Sequence, residues 1–190
     1  MPYRKAVPAQ GSYYHVYNRG VNRNPIFFCS DNWRYFLVLL RRYFVPDLAE
    51  IVAYCLMPNH YHLLVRVITE DFARDVMQPF AVSYSKAVNA QQGRVGPVFQ
   101  GPFKLALVDS DEYLIHLSRY IHLNPVLAGL TRAPEEWAFS SFCEYAGLRT
   151  GSLPNLEAVL GQFENQEAYC RFVNAYTDTD RSRIANLLLE

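Results

Sequence analysis

Two histidines separated by a single residue have the types and the spacing best suited to chemistry in this sequence. His60 and His62 lie in the stretch Met-Pro-Asn-His-Tyr-His-Leu-Leu-Val, residues 57–65, which has the character of a β-strand. Alternate side chains of a strand project from one face, with backbones roughly 7 Å apart, so the imidazoles point together. Because histidine is a common metal ligand, the spacing predicts a shared divalent metal ion. The competing interpretation is a pair that faces solvent or forms hydrogen bonds in the core, although burying unpaired imidazoles is costly.

A second set of polar residues recurs at helical spacing further along the chain. Asp109 opens a capping box for a predicted helix that ends near Asn124. His116, Tyr120 and Asn124 are four residues apart, so they are predicted to stack along one side of this helix. Tyr120 is a candidate nucleophile, and Asn124 offers a neutral oxygen as a third metal ligand. A metal ion that polarises a phosphoryl oxygen would favour attack by a phenol, whose ordinary pKa is near ~10. The alternative is a structural tyrosine, half-buried on an amphipathic helix.

The elements that must position these residues alternate along the chain. Residue patterns predict strand, helix, two strands, helix and strand at residues 12–19, 30–44, 51–57, 60–67, 72–90 and 98–108. This order is typical of an α+β, ferredoxin-like antiparallel sheet with helices packed on one face. The helix that carries Tyr120 follows the completed unit. It therefore has to dock against the sheet to bring the tyrosine to the histidines.

The composition indicates a globular chain with one main domain and a small appendage. The 190 residues are 51% hydrophobic and 19% charged, and the 4 cysteines are scattered without a Cys-x-x-Cys pair. No apolar run approaches the ~18 residues of a membrane span, and no signal peptide is apparent, so we expect a cytoplasmic protein without membrane contact. We predict a domain over residues 1–150 and a helical C-terminal extension over residues 151–190, with short helices at 156–160, 163–176 and 184–189.

The net charge of zero hides an asymmetry along the chain. Residues 1–105 contain 12 Lys or Arg and 6 Asp or Glu, whereas residues 106–190 contain 6 and 12. This division predicts that a polyanionic partner contacts the first part of the chain. An accidental asymmetry of an ordinary solvated surface explains the counts equally well.

Several longer motifs, in a consistent order, resemble those of a known family. They run through most of residues 13–147 and comprise residues 14–20 (YHVYNRG), 53–65 (AYCLMPNHYHLLV), 99–101 (FQG), 119–126 (RYIHLNPV) and 137–142 (WAFSSF). On these motifs the chain resembles the IS200-like transposase family, and especially its REP-associated tyrosine transposases. These are single-tyrosine enzymes of the HUH endonuclease class.

The resemblance implies a ferredoxin-like fold, Mg²⁺ or Mn²⁺ as cofactor, and single-stranded DNA with nearby hairpins of the REP type as partner. His60 and His62 match the family's metal-binding pair, with Tyr61 at its large hydrophobic position. Tyr120 matches the nucleophile and Asn124 an amide ligand. The implied reaction is a transesterification that joins the tyrosine to a DNA 5′-phosphate and leaves a 3′-hydroxyl able to rejoin the strand. Relatives occur as monomers and as homodimers that exchange the tyrosine helix.

Other residues are candidates for supporting roles in such a site. The basic side chains suited to a groove along a DNA backbone are Arg19, Arg23, Arg94, Lys104 and Arg119. The histidines that can orient ligands or transfer protons are His15, His116 and His122. For each basic residue taken alone, an ordinary solvated surface is a competing interpretation.

Two positions depart from the family pattern. Members often carry Arg after Gln-Gly and again after Asn-Pro-Val, where this chain has Pro102 and Leu127. Because the tyrosine, the histidines and the amide are all retained, we expect altered DNA affinity or target choice and place active transposition in question. The alternative functions are a domesticated relative that binds DNA hairpins without cleaving them, and a metal phosphohydrolase of small substrates, in which Tyr120 has no role.

Overall fold

A four-stranded antiparallel sheet lies at the centre of the fold. The structure, a computed structural model, describes residues 8–183. The strands are β1 (Tyr13–Arg19), β2 (Ala49–Met57), β3 (His60–Val67) and β4 (Lys104–Val108). They adjoin in the order β2-β3-β1-β4, and each neighbouring pair is antiparallel. This is the ferredoxin-like arrangement, so the predicted α+β fold class is confirmed.

Helices α1 (Ser30–Tyr43) and α2 (Gln78–Gln92) cover one face of the sheet. The ring of Tyr61 on β3 packs against Phe36 of α1 and Phe80 of α2, with centroids 5.3 and 6.4 Å apart. The side chains of a strand alternate between faces, so the residues on either side of Tyr61 point to the opposite face. Both histidines of the pair therefore lie away from α1 and α2.

Helix α3 (Asp111–Leu127) covers that opposite face. Its Leu117 and Ile121 belong to a second core together with Cys55 of β2 and Leu64 of β3. The same core is completed by residues of three short helices, α4 (Phe142–Tyr145), α5 (Glu157–Leu160) and α6 (Gln166–Asn174), and a further helix, α7 (Asp178–Arg183), follows. Residues 116–125 of α3 are all buried, since the helix lies between the sheet and the C-terminal helices.

Both ends of α3 differ from the predicted ones. Ser110, not Asp109, is the N-cap, and its side chain accepts a hydrogen bond from the backbone N–H of Tyr113 at 3.2 Å. A serine hydroxyl satisfies the exposed N–H as well as an aspartate does. At the other end the helix continues through Pro125 to Leu127. A proline so close to the C-terminus removes one intrahelical hydrogen bond without ending the helix.

The chain between residue 73 and the start of β4 also differs from the prediction. Residues 73–77 form a π-helical turn before α2, with Pro79 close to the start of that helix. Strand β4 covers only residues 104–108 of the predicted stretch 98–108. The preceding residues form a loop that is attached to the end of β1 by a hydrogen bond from the Gln100 N–H to the Arg19 oxygen at 2.8 Å.

The C-terminal extension packs against α3 and its core. The helices predicted at 156–160 and 163–176 correspond to α5 and α6, while the one predicted at 184–189 lies outside the described residues. The division of the chain at residue 150 stays a prediction. None of the helices described within residues 8–183 combines the length and the apolar character needed to cross a membrane.

Candidate active site

The two histidines lie side by side on the sheet face that α3 covers. Their ring centroids are 4.9 Å apart, and the ring planes are almost perpendicular at 85°. Nδ1 of His60 is 2.7 Å from Oδ1 of Asn59, and Nδ1 of His62 is 2.9 Å from Nε2 of His15. Because both Nδ1 atoms are engaged within the protein, the Nε2 atoms are the ones left to meet a ligand.

Nε2 of His62 is a buried polar atom with no hydrogen-bond partner among residues 8–183. A buried polar atom left in this state costs free energy comparable to a lost hydrogen bond. A metal ion would supply the missing interaction, because a neutral imidazole binds metals through the lone pair of one nitrogen. This nitrogen fits the metal site predicted from the spacing of the pair.

Helix α3 brings Tyr120 and Asn124 to the histidine pair. The ring of Tyr120 lies edge-on to His62, with centroids 5.6 Å apart and planes at 78°. One turn later, Nδ2 of Asn124 donates to the backbone oxygen of Tyr120 at 3.0 Å, which leaves the amide oxygen for the histidines. The Asn124 side chain also acts to raise the pKa of both imidazoles, as an acceptor close to both rings does.

Burial keeps both imidazoles neutral near pH 7. Desolvation is the main reason that the pKa of His60 is lowered to about 4, with a smaller lowering by Arg19. Desolvation, followed by the neighbouring His15 and His60, places the pKa of His62 well below its ordinary value. Metal-ligating histidines must be neutral, so the surroundings of the pair favour the form that binds a metal ion.

The donor set at this site is small and consists of neutral groups. The part of the chain that the structure describes contains no group of three or more His, Cys, Asp or Glu side chains that could hold a metal ion. The amide oxygen of Asn124 is the candidate third donor, because the Asn124 side chain lies close to both rings. Two imidazoles and an amide oxygen leave a divalent ion its full charge and open positions for water and phosphate. Such a set suits Mn²⁺, and also Mg²⁺, which usually keeps several waters.

Two of the predicted DNA contacts lie on the same sheet face as the histidines. Arg19 is paired with His60 across β1 and β3. Lys104 is paired with Tyr17 across β4 and β1, and Tyr17 in turn with His62. Paired residues of adjacent strands project to the same side, so Arg19 and Lys104 add positive charge beside the pair. The assignment of these two basic residues as DNA contacts stays a prediction.

The other two surface arginines lie in loops. Arg23 is exposed in the connection between β1 and α1, and its backbone oxygen accepts a hydrogen bond from Nδ2 of Asn59 at 3.1 Å. Arg94 follows α2, and its guanidinium lies 5.6 Å from the ring centroid of Phe28. Their assignment as DNA contacts stays a prediction.

Arg119 does not form the exposed DNA contact that was predicted. Its side chain is 3% exposed and pairs with Asp180 at 2.6 Å. It also donates to the backbone oxygen of Phe172 at 3.0 Å, with the guanidinium 4.0 Å from the centroid of that ring. Adjacent residues of an α-helix are rotated by about 100°, so Arg119 meets the C-terminal helices while Tyr120 meets the histidines.

His116 is also outside the site, contrary to its predicted supporting role. Its Nδ1 lies 2.8 Å from Nη2 of Arg119. Residues four apart on an α-helix differ by about 40° in direction around its axis. His116, eight residues before Asn124, is therefore rotated by about 80° from it. Of the three additional histidines, His15 contacts the pair directly, through Nδ1 of His62.

His122 lies on the opposite side of α3 from the site, which contradicts its predicted role as well. Its ring nitrogens lie 2.7 Å from the hydroxyl of Tyr169 and 2.8 Å from Oγ of Ser141. Two residues along an α-helix correspond to a rotation of about 200°, so His122 points away from the side on which Tyr120 lies. Its role is to anchor α3 to the C-terminal helices.

Asn59 is a contact of the site that the sequence patterns did not single out. Its side chain binds His60, one of the two candidate metal ligands. The general signal for such a contact is that a histidine which binds a metal donates its other ring N–H to an oxygen of the protein.

The fold is an antiparallel ferredoxin-like sheet in which a histidine pair faces a tyrosine-bearing helix. The chain belongs to the family described as Transposase IS200 like, whose profile matches residues 9–124. It is also 29% identical over 106 residues to a Haemophilus influenzae protein named as a REP-associated tyrosine transposase. That match covers 49% of this chain and 58% of the relative, so the chain matches less than two thirds of the relative's length.

A solved structure shares the fold. It is described as a REP-associated tyrosine transposase bound to a REP hairpin, and it superposes with a TM-score of 0.59 at 20% sequence identity. The match covers 83% of this chain and 96% of that one. The arrangement of sheet and helices is therefore one that a hairpin-binding protein also has.

Proposed function

We propose that the protein is a metal-dependent single-stranded DNA endonuclease and strand transferase that acts at hairpin DNA of the REP type. Tyr120 is the nucleophile, and His60, His62 and Asn124 hold Mg²⁺ or Mn²⁺. The observation that carries the proposal is the contact of the Tyr120 ring with His62 at 5.6 Å, next to an imidazole nitrogen that is buried and unbonded within the described residues. A phenol this close to a metal ion held by the histidine pair would suit in-line attack on a phosphate.

The proposed reaction exchanges one phosphate ester bond for another. The oxygen of Tyr120 attacks the phosphorus, and the bond from phosphorus to the 3′ oxygen breaks. The phenol loses its proton and the departing oxygen gains one, which leaves a free 3′-hydroxyl and a 5′-phosphotyrosine. In strand transfer, a 3′-hydroxyl attacks this phosphotyrosine and releases Tyr120. No nucleotide cofactor is required because the number of ester bonds does not change.

The residues of the site divide the work between binding and orientation. When bound, the metal ion would polarise a phosphoryl oxygen and so lower the barrier to attack. His60 and His62 remain neutral and offer their Nε2 lone pairs. Asn124 is tied to the backbone oxygen of Tyr120 at 3.0 Å, which links the position of the third ligand to that of the nucleophile. Burial of α3 on both sides keeps Tyr120 in place relative to the strand.

Positive charge beside the site is proposed to bind the DNA backbone. Arg19 and Lys104 share the sheet face of the histidines, and Arg23 is exposed in the adjacent loop. Pro102 and Leu127 are exposed where family members often carry Arg, and we propose that these two departures alter DNA affinity or target choice. A single copy of the chain holds both the tyrosine and the histidine pair, and the proposal therefore needs no exchange of α3 between copies.

A covalent-adduct assay tests the proposal. The protein is incubated with an end-labelled DNA hairpin carrying single-stranded flanks, with Mn²⁺ or with EDTA, and the products are separated on a denaturing gel. We expect a labelled protein–DNA adduct with Mn²⁺ alone, lost in Tyr120→Phe and reduced at least about 100-fold in His62→Ala. Tyr35→Phe, at an exposed tyrosine of α1, is the matched control and should form the adduct normally.

The outcomes separate the proposed enzyme from its alternative. An adduct that persists in Tyr120→Phe would disprove the assignment of the nucleophile. Tight, salt-sensitive binding of the hairpin without any adduct would instead identify a domesticated binding protein that uses the same surface.

A further inference from the structure

The loop between β1 and α1 has a strained backbone next to the histidine pair. Asn22 and Arg23 have φ angles of 54° and 60°, in the left-handed region. This conformation costs residues other than glycine on the order of 1 kcal/mol or more each, and it persists only where the surroundings hold it in place. The loop is thus kept in an unfavourable conformation at the edge of the candidate site.

Asn59 holds this loop and His60 at the same time. Its backbone oxygen accepts a hydrogen bond from the N–H of Gly20 at 2.8 Å. Its Nδ2 donates to the backbone oxygen of Arg23 at 3.1 Å. Its Oδ1 lies 2.7 Å from Nδ1 of His60. One side chain therefore bridges the strained loop and a candidate metal ligand.

The carbonyl of Arg23 decides which way round this amide lies. A carbonyl oxygen can only accept a hydrogen bond, so the amide nitrogen of Asn59 must face Arg23 and the amide oxygen must face His60. The amide oxygen can also only accept, so Nδ1 of His60 must carry the proton. A neutral imidazole protonated on Nδ1 has its free lone pair on Nε2.

We infer that Asn59 is a positioning residue that fixes the tautomer and the ring orientation of His60 for metal binding, and that its own orientation is set by the Arg23 carbonyl. This inference deepens the proposed function and rests on the metal site proposed there. A histidine that binds a metal commonly donates its other N–H to an oxygen of the protein, and loss of that partner weakens metal binding about 10–100-fold.

Three variants of the full chain separate positioning from a general structural role. Asn59→Leu has a similar size but no polar atom, so it lacks both hydrogen bonds. Asn59→Asp retains an oxygen that accepts the proton of His60 but offers no donor to the loop. Arg23→Gly removes the guanidinium and keeps the carbonyl, and glycine adopts a positive φ without strain.

Two measurements read out the role of Asn59 without DNA or activity. Electron paramagnetic resonance of the free ion gives the dissociation constant for Mn²⁺. The ¹⁵N spectrum of the histidine rings in the metal-free protein gives the tautomer of His60. We expect Asn59→Leu to bind Mn²⁺ about 10–100-fold more weakly and to lose the Nδ1–H tautomer, and Asn59→Asp and Arg23→Gly to keep the tautomer and an affinity within about threefold of wild type.

Several results would overturn the inference about Asn59. A wild-type spectrum with the His60 proton on Nε2, or unchanged Mn²⁺ affinity in Asn59→Leu, would overturn the inference. So would equal losses of affinity and of thermal midpoint in Asn59→Leu and Asn59→Asp, since a structural role predicts no rescue by Asp. Wild-type protein that binds no Mn²⁺ would overturn this inference and the proposed function together. If the tautomer and Mn²⁺ results are as expected but no DNA adduct forms, the proposed function fails and the role of Asn59 stands.

Discussion

Each of the three candidate metal ligands has one polar atom already engaged by the protein and a second one turned to the site. The engaged atoms are Nδ1 of His60, Nδ1 of His62 and Nδ2 of Asn124. Their partners are Oδ1 of Asn59, Nε2 of His15 and the backbone oxygen of Tyr120. Such partners fix the orientation of ligands before a metal ion arrives, so that binding requires little rearrangement of the side chains.

At Arg119 we expect a substitution to reduce stability and to leave DNA binding unchanged. Arg119→Met keeps much of the aliphatic chain but removes the guanidinium that pairs with Asp180 at 2.6 Å. Removing one partner of a buried ion pair costs about 3–5 kcal/mol, and because Asp180 is 15% exposed we expect about 2–3 kcal/mol. Urea unfolding measures this change. DNA affinity of the folded variant should stay within about twofold of wild type.

Arg171→Met provides the control for Arg119. Arg171 is exposed on α6 and pairs only loosely with Glu167 at 4.0 Å, so its loss should change the free energy of unfolding by less than about 0.5 kcal/mol. If Arg119→Met retained full stability but bound DNA much more weakly, the buried position of Arg119 would not describe the protein in solution.

The histidine pair was easier to predict from the sequence than the basic residues around it. His-x-His on a strand is a matter of local geometry, since the period of two alone places both rings on one face. The exposure of Arg119 depends on Phe172 and Asp180, which cover it from a distant part of the chain. A local pattern gives the position of a residue on a helix but not the element that packs over it.

Helix α3 has no solvent-facing side over residues 116–125. One side presents Tyr120 and Asn124 to the histidines, and the opposite side carries His122, which contacts Tyr169 and Ser141. Polar residues on a helix buried all round need partners within the protein. The position of the nucleophile is therefore determined by packing on both sides of the helix.

The stability of the protein should fall in mild acid because of His122. Burial lowers the pKa of this residue in the folded chain to about 3, against about 6.5 for an unperturbed histidine. Since the folded pKa is the lower one, the unfolded chain takes up the proton first as the pH falls below about 6.5. Below that pH the free energy of unfolding falls, because of His122, by up to about 1.4 kcal/mol per pH unit, which amounts to about 2 kcal/mol by pH 5. Urea unfolding at neutral and acidic pH measures this loss.

The variant His122→Gln isolates this contribution, because His60 and His62 also have lowered pKa values and add to the acid sensitivity of the wild type. A glutamine amide can hydrogen-bond to Tyr169 and Ser141 but does not titrate. Its stability should fall by about 2 kcal/mol less than that of the wild type between neutral pH and pH 5. An equal fall in both proteins would show that His122 takes up no proton on unfolding.

The order of the elements could be predicted because periodicity is local, whereas some of their ends could not. Strand β3 was predicted with its observed bounds, His60–Val67. Residues 98–103 were predicted as part of a strand but form a loop, and their backbone contacts are made with the end of β1 and the residues that follow it. Whether an extended segment becomes a strand depends on the neighbour available to it, and that neighbour is distant in sequence.

On the scale of the whole molecule, the charge asymmetry of the sequence is related to the position of the site. The basic residues Arg19 and Lys104, from the first 105 residues, lie on the histidine face. In the acidic second part, Asp180 and Glu144 form ion pairs with arginines of the same part of the chain. Part of the negative charge is thereby matched internally, which leaves the site end of the molecule suited to a polyanion.

This arrangement predicts that DNA binding weakens steeply with salt and that the slope depends on residues beside the site. Each phosphate neutralised by a side chain contributes about 0.7 to the slope of log affinity against log salt for a single strand. Arg23→Ala and Lys104→Ala should each reduce the slope by about that amount. Arg171→Ala, on the far side of α3 from the histidines, should not change it. Fluorescence anisotropy with a labelled hairpin over a series of NaCl concentrations measures all four slopes. If Arg171→Ala lowered the slope as much as Lys104→Ala, the DNA would lie along the C-terminal helices, and the histidine face would not be its binding surface.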